Sequence, residues 1–313
     1  GMGNLGSSMT QQYNAYAGFV VVAQQEGFRF DALSVPAPGA TLPAAPANYV
    51  PQLPTKLPST TSLLVDGSDL GANGILDQVA LLFVQGMMQS GMTGTPTATP
   101  TPDELFAQSA AMLGFNIKTD FIDQMTGEYG LAIWGAETMD PSQINALFVS
   151  GAKDPATLTD TLSKISLLVQ SAAQGQITVS STPVAGDRLN VIDLSAATGM
   201  PSKLEYGVIG QEFLLGYNDA ISQYQAGATD TLASNPTYQA ALATLPAEHN
   251  SVFFVNLEQL VPLFQQLSSS MESGMGTPGA TSMPDLSALR ALAGVGYEKD
   301  GMSGASMLLL IGG

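Results

Sequence analysis

The segment Met88-Gln89-Ser90-Gly91-Met92, followed by Thr95-Pro96, returns far downstream as Met271-Glu272-Ser273-Gly274-Met275, followed by Thr277-Pro278. Before it, Leu57-Pro58, the apolar run Leu63-Leu64-Val65 and Asp66 recur as Leu245-Pro246, Phe253-Phe254-Val255 and Asn256. After it, Leu113-Gly114-Phe115 is echoed by Ala293-Gly294-Val295, and Met125-Thr126-Gly127 by Met302-Ser303-Gly304. The offset between copies shrinks gradually, as short loop deletions would make it. An internal repeat restricts the fold to stacked or paired copies of one unit. Residues 55–135 and 245–313 are therefore expected to share the order strand, helix, linker, helix and closing strand, with 136–244 between them.

A third echo lies at the start, where Ala15-Tyr16-Ala17-Gly18-Phe19 and the apolar runs around Glu26-Gly27 resemble Ala291 to Val295 and the pair around Asp300-Gly301. An acidic residue and glycine between two apolar runs signal a hairpin. Residues 1–36 thus read as the closing hairpin of a preceding unit. Residues 37–54, rich in Pro and Ala, read as a linker leading to a duplicated domain over 55–313.

Four times an apolar strand runs through a capping residue into an amphipathic helix. The clearest case is Ala146 to Val149, then Asp154-Pro155, then Leu158, Leu162, Ile165 and Val169 along one helical face. Asp160 and Lys164 stand in the favourable i, i+4 order on its polar side. Helices are also predicted with Ile75, Val79, Leu82 and Phe83, after Asn218-Asp219, after Asn235-Pro236, and over Leu257 to Leu267 with Pro262 at a start or kink. Strands at 129–134, 146–149, 177–180, 189–194, 206–209 and 213–216 are joined mostly by short polar turns. That favours an α+β fold with a mainly antiparallel sheet and duplicated strand-helix-helix-strand units.

Charge and composition exclude several function classes. Nine Lys plus Arg against 26 Asp plus Glu give a formal charge of −17, which repels nucleic acid phosphates. With no cysteine and only His249, disulfides, thiol nucleophiles, iron–sulfur clusters and multi-histidine metal sites cannot be built. The longest apolar runs, such as Phe19 to Ala23 and Met307 to Ile311, fall far short of the ~20 residues of a membrane span. No nucleic acid partner and no membrane span in this chain are expected. Charged residues amount to only 11%, leaving Thr, Ser, Gln, Asn and Gly to wet the surface, a style commoner outside the cytoplasm. Gly1 before Met2 reads like a scar of tag removal, so an export signal or anchor would lie upstream.

Several arrangements approach a chemical motif and fall short. Asp66 to Asp77 has the length of a calcium loop, but Leu70 and Asn73 stand at the wrong positions and the second copy lacks the acidic cluster. Asp120 and Asp123 at i, i+3, with Glu128 beyond, could do acid–base work; isolated carboxylates at that spacing usually form a solvated face. His249 reads as a solvent-facing turn residue and Trp134 as packing. Neither a nucleophile elbow, a Walker A sequence nor a complete dinucleotide fingerprint occurs. No catalytic, cofactor-binding or metal-ligating residues and no cofactor are assigned.

Taken together, Leu57-Pro58 before a strand, the segment Asp120 to Trp134 with Gly127-Glu128, Ala146 to Asp154, the strand Tyr206 to Tyr217 and Leu245-Pro246 before another strand resemble an uncharacterised bacterial family, domain of unknown function 3352. The resemblance covers roughly residues 50–313. It implies a secreted or membrane-anchored extracytoplasmic protein and carries over no catalytic residue. The function expected is a non-catalytic extracytoplasmic binding or scaffolding module with a protein or cell-envelope partner. The alternative is a carrier of a small apolar or lipid ligand. The density of Leu, Val, Ile and Phe on the strands favours a filled core. The Met-rich helix ends (Met87, Met88, Met92, Met271, Met275) and the Thr/Pro-rich segments 93–102 and 274–284 would then be the contact surface.

Overall fold

The computed structural model describes residues 14–36, 48–70, 76–77, 80–81, 101–138, 140, 142–173, 177–262 and 286–312. Its twelve strands are β1 (Asn14–Gln24), β2 (Gly27–Pro36), β3 (Thr61–Ser68), β4 (Met125–Trp134), β5 (Asn145–Ala152), β6 (Val179–Val184), β7 (Asp187–Asp193), β8 (Lys203–Ile209), β9 (Glu212–Tyr217), β10 (Ser251–Asn256), β11 (Leu289–Lys299) and β12 (Met302–Ile311). They form one antiparallel sheet in the order β1-β2-β12-β11-β10-β3-β4-β5-β9-β8-β7-β6. The α+β expectation therefore holds. Helices are α1 (Pro102–Leu113), α2 (Pro155–Ala172), α3 (Ser195–Thr198), α4 (Ala220–Ala226) and α5 (Pro236–Leu242), with further helical residues at 76–77, 80–81 and 257–262.

The chain divides into two compact units, each discontinuous in sequence. The first comprises Gly1–Gly67, Gly130–Ala146 and Ser222–Gly313, and the second Ser68–Tyr129 and Leu147–Ile221.

In the first unit the hairpin β1–β2 joins the sheet, with β2 paired to β12 over Ser34↔Ser303 to Gly27↔Leu310. Gly27 permits this close approach, since a Cβ there would meet the Leu309 carbonyl oxygen. α5 packs on β11 and β12, where Ala291, Ala293, Val295, Leu308 and Leu310 alternate as buried positions at period two. Asn235 caps α5 by accepting hydrogen bonds from the N–H groups of Thr237 and Tyr238, with Pro236 at the first turn. Tyr238 meets Phe254 edge to face at 5.1 Å between ring centroids.

In the second unit α2 lies on the sheet through Leu158 and Leu162, which join Tyr206, Val208, Phe213 and Ile192 in one core. Asp154 caps α2 through Ala156 and Thr157, and Lys164 pairs with Asp160 at 2.7 Å. The buried hydroxyls of Ser166 and Tyr206, 2.8 Å apart, bond α2 to β8.

The two repeated apolar triplets are immediate neighbours. Leu63, Leu64 and Val65 on β3 pair with Val255, Phe254 and Phe253 on β10. Beyond them the expected correspondence breaks. Leu113-Gly114-Phe115 closes α1, with Gly114 in the left-handed conformation, whereas Ala293-Gly294-Val295 is mid-strand in β11. Where the downstream copy was expected to carry its second helix before the closing strand, the described residues show a turn at 287–288 leading into strand β11. Alternating burial of Ala291, Ala293 and Val295 against β10 and β12 selects the strand over the weak helical pattern. The five methionines at 87–92 and 271–275, Ile75, Val79, Leu82, Phe83, the segment 274–284 and most of 93–102 lie outside the described residues.

Candidate functional site

The segments around α1 leave a space beside α2 in the second unit. Thr101 and Glu104 form a reciprocal capping box at the start of α1, and Pro102 occupies its first turn. At the other end Gly114 lets the chain turn back. The buried Ser109 hydroxyl donates to Phe106 O at 2.6 Å and accepts from Ile117 N at 3.3 Å, pinning the returning segment to the helix. Asn116 then caps a π-helix at Ile117–Phe121, followed by a 3-10 turn at Ile122–Gln124.

Ile117 and Ile122 join Ala80, Leu105, Phe106 and Phe115 in a second apolar cluster, against which Leu76, Ile165 and Leu168 pack. Between these groups runs a cavity of about 620 Å³. Its walls are Leu76 and Ala80, the Leu113-to-Ile122 return, and the final turns of α2 from Ile165 to Ala172. Of the named lining side chains, Ser171 alone can hydrogen-bond, and its hydroxyl donates to Leu168 O at 2.8 Å. α2 is apolar on more than one stripe toward its C-terminus, with Ile165, Leu168 and Val169 partly buried and Leu167 exposed, so one arc serves the sheet and another the cavity.

Charged residues are next in sequence to three of the lining residues. Lys118 Nζ lies 3.0 Å from both Asp77 and Asp123, adjacent to Ile117, Leu76 and Ile122 respectively. Burial alone would lower the Lys118 pKa, but hydrogen bonds to Asp123 and Asp77, with their charges, outweigh it and raise the value above 10.5. The trio carries a net single negative charge.

The acidic and imidazole groups weighed from the sequence are each engaged locally. Asp120 accepts from Asn116 N at 2.9 Å and Thr119 Oγ1 at 2.8 Å, Asp123 is held by Lys118, and Glu128 stands on β4. In the first unit His249 Nδ1 lies 3.1 Å from Pro246 O and its ring meets Tyr49 edge-on, so it is partly buried rather than the solvent-facing turn residue expected. Asp66 accepts from the Tyr49 hydroxyl at 2.8 Å, and Asp69 accepts from Gly127 N at 3.2 Å. Of the calcium-like stretch, Asp66, Asp69 and Asp77 thus have protein donors. Trp134 is buried, and its Nε1 donates to Gln223 at 2.7 Å. Among the described residues no three His, Asp or Glu side chains group as a metal site.

The cavity residues Ile117, Phe121 and Leu168 were not singled out by sequence, and Phe115 only as part of the repeat. For Leu168 the one signal was the width of the apolar arc at the end of α2.

Fold and cavity together define an antiparallel α+β protein with an apolar pocket between helices. The chain belongs to the family described as Protein of unknown function (DUF3352), whose model matches residues 5–309. No curated protein and no solved structure matches it. No helix among the described residues is long and apolar enough to cross a membrane.

Proposed function

We propose that this chain is a non-catalytic, extracytoplasmic binding protein that carries a small, uncharged apolar ligand. The supporting observation is the cavity of about 620 Å³, within the roughly 300 to 1,000 Å³ that small-molecule sites occupy, and walled by aliphatic and aromatic side chains. Burying an ionised head in such walls without a partner is costly, so the ligand's body must be apolar. Its head must be uncharged. Among the described residues beside the cavity, Lys118 is already paired with Asp77 and Asp123, and the chain's charge of −17 repels an anionic amphiphile. Asp120 and Asp123 serve as local turn and ion-pair groups in this reading, with no reaction assigned to them.

Titration with the neutral fluorophore N-phenyl-1-naphthylamine tests the proposal. The full chain should give a saturable fluorescence rise that monoolein competes away and palmitate, at the same concentration, does not. Leu168→Trp and Ala80→Phe, which fill the cavity from two different segments of its wall, should each abolish the rise while far-UV circular dichroism stays unchanged. Absence of saturable binding, or binding untouched by both variants, would overturn it.

A further inference from the structure

A second cavity, of about 590 Å³, lies wholly in the first unit, between the strands that carry Arg29, Asp31, Tyr297 and Ser306 and the segment Thr244 to Pro246. Register places its polar groups on one face of the sheet. Arg29, Asp31 and Leu33 alternate along β2, Ser306 stands opposite Asp31, and Gly304 stands between Leu33 and Tyr297 as the partner of both. Unlike the cavity beside α2, this one combines an ion pair and a phenol ring with the apolar side chains of Leu33, Leu245 and Pro246.

The polar groups are held in place by the protein itself. Arg29 Nε and Nη2 lie 3.0 and 2.9 Å from Asp31 Oδ2, and Arg29 Nη1 donates to Thr244 O at 3.2 Å. The buried Ser306 hydroxyl donates to Asp31 Oδ1. Among the described residues, these bonds leave an unused N–H on each Nη of Arg29 and an unused lone pair on Asp31 Oδ1. Both side chains line the cavity and remain 30% and 27% exposed. Tyr297 is positioned by Gly304, where a Cβ would stand 2.3 Å from the Tyr297 Cζ, so the missing side chain lets the ring lie across β12. That ring is half-buried and lines the same cavity, and its hydroxyl has no partner among the described residues.

We infer that this cavity binds a neutral saccharide, taken as one pyranose ring with adjacent free hydroxyls. A sugar hydroxyl both donates and accepts, so a neighbouring pair gives to Asp31 and takes from Arg29 at once. The apolar C–H face of the ring packs on Tyr297. Other ligand classes leave one of these groups unmet. A wholly apolar molecule would cover the spare N–H groups of Arg29 without replacing their water partners. An anion meets a guanidinium whose charge Asp31 already cancels, in a chain of −17. A peptide's planar trans amide turns its donor and acceptor to opposite sides, whereas Asp31 and Arg29 ask for both on one side.

Saturation-transfer difference NMR on the full chain tests this, with the methyl glycosides of glucose, galactose, mannose and N-acetylglucosamine as probes. At least one should receive saturation on its ring C–H protons and titrate with a Kd in about the millimolar range, as so small a ligand allows. Asp31→Asn should weaken that glycoside about tenfold, the worth of one hydrogen bond to a charged group, and Tyr297→Leu to a similar degree, with far-UV circular dichroism unchanged. Should either fold poorly, Leu33→Trp, which fills the cavity without removing a polar group, takes its place and should abolish the transfer. Transfer to none of the four glycosides, transfer that survives all three substitutions, or transfer to tri-alanine or benzoate in place of every glycoside would overturn the inference. Leu168→Trp in the second unit should leave the glycoside signal intact, which keeps this test separate from that of the apolar cavity.

Discussion

Leu64 on β3 and Phe254 on β10 face each other directly in the sheet, both fully buried. Because Leu63 pairs with Val255 and Val65 with Phe253, exchanging the two strands maps the pairing onto itself, which is a local two-fold relation between the repeated triplets. Tyr238 of α5 rests its ring on Phe254 from the side.

Phe254→Ala removes the larger member of this pair and leaves a cavity under α5. Such truncations cost about 3 to 5 kcal/mol. Urea unfolding of the full chain should show that loss, whereas Phe19→Ala, at an 82% exposed site, should change stability by less than about 0.5 kcal/mol. Equal effects of the two would contradict the burial described.

Stability should be flat across neutral pH and fall at both extremes. On the acid side, hydrogen bonds from the hydroxyls of Ser142, Thr157, Ser195 and Ser59 hold the carboxyls of Asp140, Asp154, Asp193 and Asp230 below their ordinary 3.8. Their contribution is present above 3.8 and is lost as pH drops through the lower folded values. On the alkaline side Lys118 and Lys203 are partly desolvated, yet their carboxylate partners raise both pKa values above 10.5. Their contribution is full below 10.5 and disappears as pH climbs through the raised values. Thermal melts from pH 2 to 12 read both limbs. Asp154→Ala should shallow the acid limb and leave the alkaline one unchanged, and Lys118→Met should shallow the alkaline limb.

α2 is the element most completely legible in the sequence, because Asp154-Pro155 is a local stop-and-start signal and Leu158 and Leu162 keep a strict helical period. The hairpins are legible for the same reason, since an acidic or small residue before glycine needs no distant partner to turn a chain. Legibility ends where distant packing decides. Ala291-Leu292-Ala293 has little intrinsic preference, and only its place between β10 and β12 makes it a strand. The cavity was illegible because it is a space between the return segment of Phe115, Ile117 and Phe121 and the distant Leu168 on α2, and the apolar character of these residues alone suits a filled core equally well. Asp120 and Asp123 looked like a carboxylate pair by spacing, but their helix is a π turn and a 3-10 turn, which gives them different partners.

Native mass spectrometry of the full chain after titration with monoolein tests the carrier reading most directly. A single adduct per 32.3 kDa chain should form and saturate, and should be lost in Leu168→Trp. An adduct absent from the wild-type chain at saturating monoolein, or equally abundant in Leu168→Trp, would contradict it.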